Sequence, residues 1–397
     1  MEDVGIIGAE NLFVSSLAQQ SQLDAISSQA LSKGIDFYQK KEYEKAAREF
    51  EKSINLSPTS SFTADTTKYL SQAYLKLEKP DKAIEAYNRG IELNRDDDNL
   101  RSALGNLLYA EERYDDAVVQ YREAVRINPG LSSNHYSLGQ GLMKADKLDQ
   151  AETEFRTVLR LEPHSPHGNF GLGLTFARQG EFDDAIEQFE TVIKKQGDYY
   201  DAYAEMGYVY ADKGEIDEAE EIAEFLEDTD EDLAETLRMY INKVEPPKIM
   251  FSWGSATFRS KMPMNTPLSA LDSYLETPGA SKSFTMKFQF NKEMDRSSIQ
   301  NPLNWSISRA QSGNLAKTYN FGNAIADTEI APPAFPDYVI YDAKTRSATI
   351  GFTLTQNEAG DGSIDPQHIV FAFAGKDAEG MKIDPDHDEY TGFSGVA

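Results

Sequence analysis

The 397-residue chain contains no cysteine, which excludes disulfide bonds, thiolate metal sites and cysteine nucleophiles. Basic residues are scarce, because 39 Lys and Arg face 66 Asp and Glu, giving a formal charge of −27. A field of that sign repels phosphate backbones and anionic lipid headgroups, so neither nucleic acid nor a membrane surface is predicted as a partner. No run of about eighteen apolar residues occurs, and no membrane insertion is expected.

The start of the chain also lacks the pattern of a secretory signal, since acidic residues and no basic residue precede its short apolar stretch. We therefore expect a cytoplasmic protein, with an extracellular or cell-surface location reached without a cleaved signal as the alternative. The 20 Tyr, 21 Phe and 40% hydrophobic residues indicate an ordered chain. Its length predicts two or more domains.

Small residues recur at a fixed interval over the first 230 or so positions. One Ala series has steps of 37, 34, 34, 34 and 34 residues, and a Gly series keeps the 34-residue step. An aromatic residue follows five of the Ala residues by four positions, one helical turn along the same face. The three series are Ala46, Ala83, Ala117, Ala151, Ala185 and Ala219; Gly105, Gly139, Gly173 and Gly207; and Phe50, Tyr87, Tyr121, Phe155 and Phe189.

Prolines mark where the second helix of a period must end, because proline has no amide hydrogen; they are Pro58, Pro129 and Pro163. Each period thus holds two helices, here helix A and helix B. The small residues are expected where helix A crosses helix B, and the aromatic ring is expected to fill the space toward the next repeat. One pair cannot bury its own apolar face, so the pairs must stack.

The second helices of these periods, among them YEKAAREFEKSINLSP, YDDAVVQYREAVRINP and FDDAIEQFETVIKK, resemble those of tetratricopeptide repeats. The resemblance implies an all-α superhelix of six repeats with a concave groove that binds peptides or protein segments. The sixth repeat has Ala223 in place of the aromatic residue, and the helix-like LAETLRMYINKV after it is interpreted as a capping helix. The predicted repeats are about 27–60, 64–97, 98–131, 132–165, 166–199 and 200–233, within a domain of residues 27–243.

In this family helix A lines the groove, and the resemblance therefore implies a wall of amide, aromatic and basic side chains. Such a wall suits an extended peptide or a helix, although packing between helices is an equal alternative for any single aromatic. The groove positions are Lys68, Gln72, Lys76, Ser102, Asn106, Tyr109, Tyr136, Gln140, Met143, Lys144, His167, Phe170, Leu174, Arg178, Tyr208 and Asp212.

One subclass of the family binds a C-terminal carboxylate through Lys, Asn and Arg in three successive repeats. Lys68 matches its first position, but Gln72, Ala103, Ser133 and Ser137 replace the others. We therefore predict that this carboxylate clamp is absent.

Residues 1–26 precede the first repeat, and Leu17, Leu23 and Ile26 space loosely as one helical face. A capping helix or a disordered leader is the favoured interpretation. The alternative is a segment for export or self-association.

The helical pattern ends at VEPPKI, residues 244–249, which we interpret as a linker. The seven alternating runs that follow predict an all-β sandwich in residues 250–397; they are IMFSWGSATF, SFTMKFQF, NWSISRA, DYVIYD, SATIGFTL, HIVFAFAG and EYTGFS. FNKEMDRSSIQNPLNWSI and the later GKDAEG turn resemble bacterial Ig-like domains of the surface-layer type. That resemblance implies a spacer, an adhesion element or a binding surface.

Alternating carboxylates at Asp384, Asp386 and Asp388 suggest calcium, a cation that prefers oxygen ligands. The EF-hand pattern fails, however, because Glu389 stands where glycine is needed and Gly395 where the closing Glu belongs. A solvated turn is therefore the favoured interpretation, and we predict no metal and no cofactor.

No catalytic motif is present, and we expect a non-enzymatic protein. The leading hypothesis is a scaffold or adaptor that binds a protein segment in the repeat groove, while the β domain positions or anchors it. The alternative is a bacterial structural or assembly protein of a surface or appendage. A hydrolase whose catalytic residues meet only on folding of the β domain is a third hypothesis.

Overall fold

The chain divides into two units, Met1–Leu237 and Arg238–Ala397. The computed structural model describes residues 4–253, 256–311 and 314–392, without the side chains of residues 4–18 and Leu315. Much of the segment predicted to self-associate, residues 1–26, therefore lies outside the described side chains.

The first unit is built from antiparallel helix pairs. The six helices A are α1 (Val4–Gln39), α3 (Thr63–Lys76), α5 (Asp98–Ala110), α7 (Ser132–Lys144), α9 (Pro166–Gln179) and α11 (Tyr200–Lys213). The six helices B are α2 (Tyr43–Leu56), α4 (Pro80–Leu93), α6 (Tyr114–Ile127), α8 (Leu148–Leu161), α10 (Phe182–Lys195) and α12 (Ile216–Glu227). A thirteenth helix, α13 (Glu231–Val244), follows. α1 is continuous through the predicted leader and helix A of the first repeat.

All six pairs share one turn between helix A and helix B. A residue with positive φ ends helix A, and the amide of the next residue donates to the carbonyl five residues earlier, which is the Schellman arrangement. The positive-φ residues are Lys41, Glu78, Glu112, Asp146, Gly180 and Gly214. Their spacing repeats the predicted steps of 37 and 34 residues, so the turns confirm six helical pairs independently of the small-residue series.

The glycine of helix A makes room for the aromatic ring of helix B. A Cβ atom on Gly139 of α7 would lie 2.7 Å from the ring of Phe155 on α8. A Cβ atom on Gly171, in the next helix A, would meet the same ring even more closely. Phe155 is fully buried. The prediction that the ring fills the space toward the next repeat is confirmed, and the ring also occupies the crossing within its own repeat.

The last repeat obtains its missing ring from outside the pair. Ala223 stands at the aromatic position of α12 and leaves space above Gly207. Leu237 of α13 fills it, because a Cβ atom on Gly207 would lie 2.5 Å from Leu237 Cδ2. α13 therefore has the packing role predicted for the capping helix.

The second unit is β-rich, and each of the seven predicted runs contains a strand. Its strands are β1 (Ile249–Ser252), β2 (Thr266–Pro267), β3 (Ser281–Phe290), β4 (Trp305–Arg309), β5 (Tyr338–Asp342), β6 (Ser347–Thr355), β7 (Ser363–Ile364), β8 (Ile369–Phe373) and β9 (Glu389–Tyr390). They form antiparallel sheets in the orders β1-β3-β6-β5, β4-β8-β9 and β2-β7.

The two larger sheets pack face to face around an aromatic core. The predicted alternation in β3 is confirmed, since Phe284, Met286, Phe288 and Phe290 are buried while the residues between them are not. Phe288 stacks on Trp305 of the other sheet, with ring centroids 5.5 Å apart. The core of this unit thus lies between the sheets.

A buried lysine organises the start of the second unit. Nζ of Lys292 pairs with the carboxylate of Asp377 at 3.1 Å and donates to the carbonyl of Glu245 at 2.7 Å. The amide of Lys248 donates to Asn291 Oδ1 at 2.8 Å. The segment predicted as a linker is therefore hydrogen-bonded to the second unit along its backbone.

Candidate functional site: the groove of the helical unit

Helices A form the more closely packed side of the helical unit. Within the described part of the chain, each helix A from α3 to α11 contacts the next helix A, whereas no two successive helices B come as close. In a curved array the inner layer is the closer one, so helices A line the concave side. The predicted groove residues therefore belong to the inner layer.

The predicted groove residues differ in exposure. The exposed ones are Gln72, Lys76, Asn106, Lys144 and Arg178, and the half-buried ones are Lys68, Tyr109, Tyr136, Gln140, Phe170 and Tyr208.

Aromatic rings from repeats four and five come together in this groove. The ring centroids of Tyr136 on α7 and His167 on α9 are 5.7 Å apart. Tyr199, in the turn before α11, lies 6.4 Å from His167 and 5.0 Å from Phe170. We call Tyr136, His167, Phe170 and Tyr199 the aromatic cluster. Tyr199 was missed from sequence because it is in a turn rather than on helix A, although it is the last residue of predicted repeat five.

Packing and hydrogen bonds fix the polar groups beside the cluster. Burial raises the pKa of Tyr136 to about 12, so its hydroxyl stays protonated at neutral pH. Gln140 Nε2 donates to that hydroxyl at 3.2 Å. Tyr121 donates to Asn106 Oδ1 at 2.8 Å, which leaves the Asn106 amide nitrogen to donate to a ligand.

The predicted basic groups are not equivalent. The guanidinium of Arg178 donates to the Met143 carbonyl and lies 3.2 Å from Asp146 Oδ1, so it joins repeats four and five. Lys68 pairs with Asp65 at 3.4 Å on its own helix. Lys144 is exposed at the end of α7, the helix that carries Tyr136, and makes no ion pair with another described residue.

Two acidic residues of α11 were missed from sequence. Burial raises the pKa of Glu205, the charge of Asp201 raises it further, and Lys144 lowers it. Burial also raises the pKa of Tyr208, and the charge of Glu205, three residues earlier on α11, raises it further. Glu205 is half-buried and has no hydrogen bond to another described residue. It lies one position beyond the helix A positions that the family pattern marks, which is why it was not predicted.

The aspartates of the DPDHDE turn hold the turn itself. Asp384 Oδ1 accepts from the amide of Asp386 at 3.0 Å, and Asp384 Oδ2 lies 2.9 Å from His387 Nδ1. In the part of the chain that the structure describes, no group of three or more His, Cys, Asp or Glu side chains could hold a metal ion. None of the described helices has the length and apolar character of a membrane-spanning segment.

A family model of the tetratricopeptide repeat matches residues 70–132, 136–190 and 171–228. The helical unit contains tetratricopeptide repeats. This match agrees with the shared turns and the glycine–aromatic contacts, and it indicates no catalytic family. Tetratricopeptide repeats are typically modules of protein interaction. Among curated proteins, none matches the chain significantly.

Several solved tetratricopeptide structures are similar to the helical unit. A repeat protein from Parabacteroides merdae is 16% identical, with a TM-score of 0.49 over 55% of this chain and 86% of that one. YrrB, described as a TPR protein with an unusual peptide-binding site, is 22% identical, with a TM-score of 0.39 over 49% and 99%. PilW, described as a type IV pilus biogenesis factor, is 16% identical, with a TM-score of 0.45 over 54% and 98%. Such a likeness is no evidence for a shared function.

Proposed function

We propose that this protein is a non-enzymatic scaffold whose repeat groove binds an extended segment of a partner protein. The aromatic cluster carries the proposal, because it joins repeats four and five on the concave side and includes the exposed ring of His167. Flat aromatic side chains contribute a large contact area at low entropic cost and dominate the energy of many interfaces.

The groups beside the cluster suit a peptide main chain. The Asn106 amide nitrogen can donate to a carbonyl, and Gln140 keeps its side-chain carbonyl to accept from a peptide amide. An extended peptide has one donor and one acceptor for nearly every residue. Side-chain amides beside aromatic rings therefore suit an extended peptide, in which polar backbone groups alternate with side chains.

Affinity capture with the full chain tests this proposal. A Tyr136→Ala, His167→Ala variant should lose the partners that the wild type recovers, because both rings leave the groove. Val119→Ala, on the exposed face of α6, is the matched control and should recover the same partners.

Thermal unfolding of each variant shows whether its fold is retained. If the groove variant is folded and recovers the wild-type partners, the groove is not the binding site.

For the second unit, we propose an Ig-like domain of the surface-layer type that positions or anchors the scaffold. The residues of the resembling segment hold this unit together. Lys292 pairs with Asp377 in the GKDAEG turn, the Met294 amide donates to the Tyr341 hydroxyl at 2.8 Å, and Asp295 accepts the Ser298 amide at 2.7 Å. The pair of Lys292 with Asp377 supports a shared fold, because it joins the two segments that carry the resemblance.

Cell fractionation tests the surface role that this resemblance implies. A protein that assembles a bacterial surface structure should be recovered with the cell envelope or the medium. Recovery from the cytosol alone would contradict the surface role and leave the scaffold proposal standing.

A further inference from the structure

We propose that the groove of repeats four to six selects a basic side chain, so that the partner segment carries a Lys or Arg which sits between Glu205 and the aromatic cluster. This inference rests on the proposed function and names the chemistry of the ligand.

The first observation is a carboxylate without a partner in the groove. Glu205 lies in the middle of α11, half-buried, with no hydrogen bond to a described residue, and Asp201 stands one helical turn before it. A desolvated carboxylate is costly unless an opposite charge or donors compensate it. The charge of Lys144 lowers the pKa of Glu205, but Lys144 is exposed on a helix two repeats away.

The second observation is that aromatic faces accompany these carboxylates. Tyr199, a member of the aromatic cluster, directly precedes α11 and stands two residues before Asp201. Tyr208 follows Glu205 by three residues on α11, so the two side chains are neighbours on one side of the helix. A lysine or arginine is attracted both to a carboxylate and to the face of a tyrosine ring. The two kinds of group together therefore favour a cation over a neutral polar side chain.

The third observation is the field around the groove. α12, which pairs with α11, carries six acidic residues and no basic one; they are Asp217, Glu218, Glu220, Glu221, Glu224 and Glu227. The whole chain has a formal charge of −27. Such a field raises the local concentration of basic segments and speeds their association.

An acidic partner segment is the main alternative, since the groove also contains lysines. Two of the predicted cations are already paired, Lys68 with Asp65 and Arg178 with Asp146. The charge of Lys144 lowers the pKa of Glu205, so Lys144 competes with an incoming cation for it. The acidic Asp201 and Glu205 outnumber Lys144 among these groove residues, and the two alternatives differ in the sign of the charge they select.

A displayed library of random 12-residue peptides, selected on the full chain, decides between them. Selection on the Tyr136→Ala, His167→Ala variant in parallel identifies the peptides that depend on the groove. We expect these peptides to be enriched in Lys and Arg.

Groove-dependent peptides without that enrichment would overturn this inference and leave the proposed function intact. If no peptide depends on the groove, the proposed function fails and this inference fails with it.

Single charge changes then locate the selecting group. Glu205→Gln should weaken a selected basic peptide about tenfold, because one desolvated charge pair is lost. Lys144→Gln should strengthen it several-fold, because the internal competitor is removed.

The matched controls are Glu187→Gln and Lys194→Gln on the exposed face of α10, and they should change affinity less than about twofold, since exposed charges are screened. Equal effects of Glu205→Gln and Glu187→Gln would show that only net charge matters and would overturn the site.

Discussion

The buried contacts of the two units are specified by different properties of the side chains. In the helical unit the contact between helix A and helix B depends on size, because Gly139 leaves a space that the ring of Phe155 fills. Among the described residues of the β unit, the ion pair of Lys292 with Asp377 and the hydrogen-bonded pair of His368 with Asp365 have side chains that are less than a tenth exposed. The closest counterpart in the helical unit is His135 with Glu154, whose carboxylate is 21% exposed.

This difference follows from how each unit is assembled. Each repeat meets its neighbour through the same kind of contact, so a rule of size suffices and recurs at steps of 37 and then 34 residues. The β unit pairs segments far apart in sequence, such as β3 with β6, and each pairing occurs once. A buried charge that can be compensated in only one place is one way to specify such a pairing.

The largest expected effect tests the role of charge. Lys292→Met leaves Asp377, which is 1% exposed, without its cation, and should lower the free energy of unfolding by about 3–5 kcal/mol. Both tryptophans, Trp253 and Trp305, are in the β unit. Tryptophan fluorescence during chemical denaturation therefore reports on this unit selectively.

The matched variant removes both charges. Lys292→Met with Asp377→Asn should recover most of the loss, because no uncompensated charge remains. A single Lys292→Met that costs less than about 1 kcal/mol would show that the pair behaves like a surface ion pair.

The second prediction tests the role of size. Gly139→Leu should lower the free energy of unfolding of the helical unit by about 1–3 kcal/mol, because even its Cβ atom would lie 2.7 Å from the ring of Phe155. Denaturation followed by helical circular dichroism measures it. Gly130→Leu is the control, since no atom lies within 4 Å of the added Cβ. Equal losses in the two variants would mean that the cost arises from leucine in a helical unit and not from the crossing.

The same difference, between a local contact that recurs and pairings that occur once, decides how much of each unit could be predicted from sequence. The six helical pairs were predictable because the contact between Gly and the aromatic residue is local and recurs. Leu237 could not be predicted as the substitute for the missing ring of repeat six, since it comes from outside the pair. In the β unit the alternation predicted which residues of β3 face inward. Alternation carries no information about the neighbouring strand, so the pairing of Lys292 with Asp377 was not predictable.

The groove shows the same limit. Family positions identified Tyr136, His167 and Phe170, which meet in the aromatic cluster with Tyr199. They did not show that Arg178 is bound to the preceding repeat. Nor did they include Glu205, which lies one position beyond them. A pattern of positions also gives no information on whether a charge is compensated.

The third prediction concerns the turns between helix A and helix B. Four repeats form this turn without the glycine that repeats five and six have. Glu112 has a φ of 59° at the turn where repeats five and six have a glycine, which also has a positive φ. Glu112→Gly should raise the free energy of unfolding by about 0.5–1 kcal/mol, because a left-handed conformation costs a residue with a Cβ atom more than it costs glycine. The reverse control, Gly180→Ala, should lower it by about 1 kcal/mol. Both positions are exposed, so helical circular dichroism during denaturation would report the backbone effect. No gain in Glu112→Gly would mean that the turn is not strained.

The smallest effect is expected at Glu205. The helical unit buries this charge without a close partner, so its environment is specified neither by size nor by a buried charge pair. Its pKa is raised in the folded state, so the folded protein binds the proton more tightly than the unfolded chain does. Stability therefore falls as pH rises from the ordinary range of a glutamate through the raised value, and the full penalty is present above that raised value. Glu205→Gln should raise the melting temperature at neutral pH, and the gain should shrink as the pH is lowered toward the ordinary glutamate pKa. Glu187→Gln, on the exposed face of α10, should show no such pH dependence. If the two variants melt alike at every pH, Glu205 carries no desolvation penalty, and a basic ligand has no unpaired carboxylate to compensate in this groove.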